Sequence, residues 1–238
     1  MIHEISFFLY IYLIYSMKMA IGKNISRVYI RPRELFSEIA ENPSMKESFL
    51  IVLMSGIISL VAGLVLSPKF TFTLTGNETI VKTLEVSFTI GKVIGFVFVP
   101  MVVFLIEWVL WGAVAFAIAK LLKGEGNFKQ TLALTGYAMA PYIIDSIIFL
   151  IAAFMASPMS VTINATDYAS AGMRFGKAIG EFFSQPVLMA TDFIGVIFIV
   201  WFAILLAFAL KESHRLTLGK AFVPAAIILV IKIVMALL

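Results

Sequence analysis

The stretch GKVIGFVFVPMVVFLIEWVLWGAVAFAIAKLL, residues 91–122, decides how this chain is read. Charge interrupts it only at Lys92, Glu107 and Lys120. A bilayer core about 30 Å thick needs roughly 20 apolar helical residues per crossing, and this run exceeds that length. Its surroundings agree. Of the 238 residues, 61% are hydrophobic and 13% charged, and the mean hydropathy is +1.04. A soluble domain is nearer half apolar and a quarter charged. No water-soluble fold hides that much apolar surface, so lipid is the solvent for most of the chain.

The same criterion applied outward predicts an all-α polytopic membrane protein, a bundle of five transmembrane helices over residues 45–238. The spans are expected at 45–66, 91–122, 128–156, 186–210 and 218–238, with kinks at Pro100 and Pro141. Ser44 with Glu47, and Asn127 with Gln130, have the spacing of capping boxes that open the first and third spans. A polar loop holding Thr71, Thr73, Thr75, Asn77 and Thr79 follows the first span. A longer loop, about 157–185, precedes the fourth and carries an amphipathic stretch near 173–183.

Residues 1–44 form an N-terminal segment of different character. Pro32 suits the first turn of a short helix. In it Leu35, Phe36 and Ile39 share one face, opposite Glu34, Ser37, Glu38 and Glu41. That pattern over 32–41 predicts an amphipathic helix lying at the membrane surface, ended by Asn42 and Pro43. The apolar run 5–15 is too short to span easily. Residues 1–16 read as an extension ahead of a start at Met17 or Met19, or else as an interfacial helix.

Basic residues set orientation. Lys18, Lys23, Arg27, Arg31, Arg33 and Lys46, the turn with Lys120, Lys123 and Lys129, and the turn with Lys211, Arg215 and Lys220 all fall on one side. Lys69, Lys82, Lys92, Arg174 and Lys177 fall on the other. The richer side is expected to be cytoplasmic, with the N-terminus inside and the C-terminus outside. The formal net charge of +4 is then explained by anionic lipid headgroups at that face, and nucleic acid is not expected as a partner. The chain has no cysteine, which excludes disulfides and thiolate chemistry.

The stretch Phe128, Lys129, Gln130, Thr131, then Gly136, Tyr137 and Pro141 resembles the start of the third span in the Yip1 family. The turn Lys211, Glu212, His214, Leu216, Thr217, Gly219 and Lys220 is similar to that family's "K-E-x-H-x-L-x-x-G-K" motif. The helix with Leu35, Phe36 and Ile39 before Asn42 and Pro43 resembles the pre-membrane helix of prokaryotic members. The resemblance covers about residues 33–238 and implies five spans with a cytoplasmic N-terminus, in a prokaryotic plasma membrane. Gly95 and Pro100 are too far apart for the Gly-Pro-Leu signature of eukaryotic members, which bind Rab GTPases and support vesicle traffic. The chain looks more like the archaeal and bacterial members.

Charged groups inside a span need a partner or a polar path. Glu107, Asp145, Asp192 and Lys232 are such groups. Asp192 and Lys232 each lie about 9 Å below the outer surface at roughly 1.5 Å per helical residue, and they are expected to pair. Glu107 and Asp145 lie near mid-membrane on neighbouring spans, as a polar pair or a pathway. The Tyr137 carbonyl, deprived of a donor by Pro141, needs a local partner. Gly91 and Gly95 form a G-x-x-x-G suited to close helix packing. No catalytic motif, cofactor site or metal-ligand set is present.

Two functions follow as expectations. One is a non-catalytic protein that organises membrane or docks a protein partner or a second copy through its basic face, with Leu35, Phe36 and Ile39 inserted in lipid. The other is a small ion, proton or lipid transporter built on the mid-membrane carboxyls. Geometry separates them: carboxyls facing a shared cavity favour transport, whereas carboxyls bonded to backbone in a dry bundle favour a scaffold. The reading of the start predicts that the intact mass of the native protein corresponds to initiation at Met17 or Met19; a mass that includes Ile2 contradicts it.

Overall fold

A computed structural model describes residues 24–237; the expectations about residues 1–16 and the start lie outside them. Helix occupies residues 24–30 and then α1 (Pro32–Glu41), α2 (Met45–Leu66), α3 (Glu78–Val93), α4 (Val99–Leu121), α5 (Phe128–Ala138), α6 (Pro141–Met155), α7 (Tyr168–Phe183), α8 (Pro186–His214) and α9 (Leu218–Leu237). A 3-10 turn at Ser67–Lys69 leads into strand β1 (Phe70–Gly76), and strand β2 (Met159–Ala165) follows α6. Among the described residues five continuous stretches are long and apolar enough to cross a membrane: Met45–Lys69, Glu78–Leu121, Phe128–Met155, Pro186–His214 and Leu218–Ala236.

The second stretch starts well before Gly91. Asn77 caps it by accepting from the Thr79 and Ile80 amides, and Thr83 and Ser87 return their hydroxyls to the carbonyls one turn back. Pro100 has no N–H to give the Phe96 carbonyl. Over Ile94–Phe98 the ladder widens to a π-helical turn, the kind of irregularity a proline one turn on leaves in the ladder.

The segments expected as loops each hold a strand. β1 and β2 pair in parallel, from Phe70 opposite Met159 to Gly76 opposite Ala165. The alternation Phe-Thr-Phe-Thr-Leu-Thr puts Phe70, Phe72 and Leu74 on one face, which is the period of a strand.

The chain divides into two compact units, and each long helix contributes to both. Of the described residues, the first comprises those up to Ile51, Trp108–Pro141 and Trp201–Ile231. The α1 stripe Leu35, Phe36 and Ile39 is buried in it, at 0%, 0% and 7% exposure. These side chains therefore do not insert in lipid; α1 packs on α5, and the Gln130 amide donates to the Ala40 carbonyl at 2.7 Å. An amphipathic helix serves a protein surface as readily as a bilayer, and here the apolar partner is α5. Burial also pushes the Tyr29 phenol up to about 12, so its hydroxyl keeps its proton and donates to the Ala140 carbonyl at 2.7 Å.

The second unit comprises Val52–Glu107, Tyr142–Val200 and Lys232–Leu238. Phe70, Phe96 and Phe182 pack with Leu66, Ala153 and Leu188 in its main core. Gly63 is required there, because a Cβ would collide with the Phe96 carbonyl of the π turn. Lys69 donates to the Ala153, Phe154 and Ala156 carbonyls at 2.7–2.9 Å, which satisfies the C-terminal end of α6. Asp167 caps α7 by accepting from the Ser170 amide at 2.8 Å, and that bond holds its carboxyl below the usual range.

Since Phe36 is core, Phe36→Ala is expected to cost about 3 kcal/mol of stability, measured by denaturation in detergent micelles. Unchanged stability would return α1 to the lipid.

Candidate functional site

Four ionisable side chains meet in the second unit, each delivered by a different helix. Glu107 is on α4, Asp145 on α6, Asp192 on α8 and Lys232 on α9. Two adjoining cavities collect them. One, about 290 Å³, is lined by Asp145 and Asp192 with Ser59, Ser146 and Thr191. The other, about 300 Å³, is lined by Glu107, Asp145, Lys232 and Tyr142. Phe104, Asp145, Gly195, Ile199 and Ala236 line both, so Asp145 stands at the junction of two lobes.

The ion pair differs from the expected one. Lys232 Nζ donates to Glu107 Oε1 at 2.8 Å, in place of the expected bridge to Asp192. The sequence argument matched depths on α8 and α9 but had no information on which helices adjoin. Glu107 and Asp145 line the same cavity. The Lys232 ammonium also lies 5.2 Å from the centroid of the Tyr142 ring, a distance at which an aromatic face attracts a cation. Its side chain is 6% exposed. Tyr142 is one residue past Pro141, at the start of α6, which carries Asp145 a turn further along.

The hydroxyls are arranged locally. Ser59 donates to Ser146 at 3.2 Å, and Thr191 returns its hydroxyl to the Leu188 carbonyl at 2.6 Å. Gly195 lies beside the Asp145 carboxyl, where a Cβ would stand in ordinary contact, 3.8 Å from Oδ1. Sequence reasoning missed Tyr142, Ser59, Ser146, Thr191 and Gly195. A hydroxyl residue adjacent to an intramembrane aspartate, and a glycine one turn on, are the signal that could have found Ser146, Thr191 and Gly195.

Gly91 and Gly95 lie in the second unit, and a Cβ on either would meet nothing within 4 Å, so the close helix packing expected of them is not made. The residues that carry the family resemblance lie in the first unit and do not join this cavity. The Tyr137 hydroxyl donates to Glu47, whose carboxylate also accepts from the Asn24 amide at 3.1 Å. Glu47 is thus drawn into a half-buried network. Gly136 lets α5 approach α2 closely, since a Cβ would strike Ser48. The Tyr137 carbonyl, left by Pro141, accepts from the Ala140 amide at 3.1 Å.

His214 is buried, and its Nε2 is 2.7 Å from the Thr131 hydroxyl. Gly124 and Gly126 face its residue pair 213–214 so closely that a Cβ on either would collide. Lys211 pairs with Glu212, and Arg215 with Glu125 at 3.2 Å. Phe128 meets Phe116 edge-on at 5.6 Å, while Gly219 and Lys220 are exposed.

Apolar spans that enclose paired charges define an integral, polytopic α-helical membrane protein. The Yip1 domain matches residues 26–238, and the chain belongs to the Yip1 family. It is 27% identical over 127 residues to an uncharacterised protein of Methanocaldococcus jannaschii, covering 52% of this chain and 84% of that protein. No solved structure matches it.

Removing either partner of a buried pair leaves a charge without its counter-charge. Glu107→Gln and Lys232→Met are each expected to cost about 3 kcal/mol or more. The double variant should cost less than their sum by about 1 kcal/mol or more, measured by unfolding in micelles. Strictly additive costs would show that the two groups do not depend on each other.

Proposed function

We propose that this chain is a non-catalytic membrane protein that takes up a positively charged group, a cation, a proton or the polar part of a lipid, in its intramembrane cavity. The observation that supports this reading most directly is the lobe lined by Asp145 and Asp192 with no basic side chain among its lining residues. Glu107 is matched by Lys232, so the negative charge left over belongs to the two aspartates. A carboxylate in low dielectric gains most from a nearby positive charge, and the cavity gives such a charge room. The Yip1 family is generally non-enzymatic, which is consistent with a binding or transport role.

A second reading rests on the first unit. Lys123, Lys129, Arg215 and Lys220 are exposed on two turns, which the His214–Thr131 and Arg215–Glu125 contacts tie together. Such a face suits anionic headgroups or an acidic partner protein at the cytoplasmic side. It would dock through charge on a rigid surface, since the α1 stripe is committed to the core.

Proteoliposomes separate the two. Protons, sodium, potassium and a fluorescent lipid are offered to wild type and to a Glu107→Gln, Asp145→Asn variant. The cavity reading expects flux of at least one of them, reduced about tenfold or more by the double substitution. Absence of any flux with both proteins folded would remove the cavity reading and leave the basic face.

A further inference from the structure

The cavity already contains one alkylammonium, supplied by the chain itself. In the second lobe Lys232 is held by a carboxylate, Glu107 at 2.8 Å, and by an aromatic face, Tyr142 at 5.2 Å. The first lobe is assembled from the same kinds of group. Asp145 and Asp192 supply carboxylates, Phe104 and Phe149 supply rings, and Ser59, Ser146 and Thr191 supply hydroxyl oxygens. No basic side chain lines it.

The size and chemistry of that lobe select among cations. A calcium or magnesium ion takes a tight shell of oxygens at about 2.0–2.6 Å. Among the described residues no three of His, Cys, Asp or Glu group closely enough to hold one. A proton needs no cavity of about 290 Å³. An organic ammonium with a short carbon chain fits both the volume and the lining. A primary ammonium carries three N–H donors, and charge-assisted bonds to carboxylates are the strong ones. A quaternary ammonium has no N–H and would leave those acceptors unused.

Resting on the reading that the cavity admits a positive group, we propose that the first lobe binds a primary organic ammonium anchored by Asp145 and Asp192. The ammonium comes from a lipid amine headgroup or from a free small amine. Phe193 and Ile197, on the helix of Asp192, are exposed apolar side chains, which places lipid-facing surface beside the lobe.

The test uses the full chain in detergent micelles and isothermal titration. The probes are dihexanoyl phosphatidylethanolamine, free ethanolamine and the choline counterpart of each. Saturable binding of an ethanolamine probe is expected, with the choline counterpart weaker by about tenfold or more. An Asp145→Asn, Asp192→Asn variant should lose about tenfold or more in affinity. Binding of the lipid alone names the headgroup as the source, and binding of ethanolamine as well names a free amine.

Failure of both ethanolamine probes to bind folded wild type, or equal binding of the choline counterparts, would overturn the proposal without recourse to any variant. Cation or proton flux that depends on Asp145, without amine binding, would overturn the ammonium and leave the broader reading standing. Neither flux nor amine binding would remove both.

Discussion

A charge carried into a bilayer must bring its partner with it, and Lys232 does so. Its ammonium sits nearly buried between Glu107 and the Tyr142 ring. A lysine left alone at that position would cost several kcal/mol. The pair ties α9 to α4, and the Tyr142 contact adds the start of α6. Once those helices are fixed, Asp145 is placed one turn along from Tyr142, at the boundary of two lobes. Ser146 follows Asp145 on the same helix, while Ser59, Thr191 and Asp192 are brought to the cavity by α2 and α8.

The first unit solves a different problem by similar means. Its helices are held by single polar contacts at points of close approach: Tyr137 on Glu47, Ser48 on the Ala133 carbonyl at 2.6 Å, Trp108 on the Leu132 carbonyl at 2.8 Å, and His214 on Thr131. Glycines stand at the tightest of these points, Gly136 beside Ser48 and Gly126 against the Ser213 carbonyl. Several of the residues that carry the family resemblance thus act as spacers and clamps. The ionisable groups Glu107, Asp145, Asp192 and Lys232 are gathered in the second unit.

Much of this was legible in the sequence because the bilayer imposes a length and a composition on each span. The intramembrane charges announced themselves for the same reason, since each is rare and costly. What was not legible was neighbourhood. Depth arguments bring Asp192 and Lys232 to one level, but only packing decides that Lys232 meets Glu107. The stripe Leu35, Phe36 and Ile39 declared a face without declaring whether lipid or α5 would cover it. The Phe-Thr-Phe-Thr-Leu-Thr run had the period of a strand, yet its partner lay beyond two intervening spans, and an unpaired strand has no reason to be expected.

The central claim is that the cavity beside Asp145 admits positive charge. The chain has no cysteine, so Gly195→Cys places one thiol there, with its Cβ in ordinary contact with the Asp145 carboxyl. The rates of its modification by a positively charged aminoethyl and a negatively charged sulfonatoethyl methanethiosulfonate would be compared in membranes. The account predicts that the positive reagent reacts about tenfold faster or more, and that the preference collapses when Asp145 and Asp192 become asparagine. Equal rates for the two reagents, or a folded protein inert to both, would contradict it.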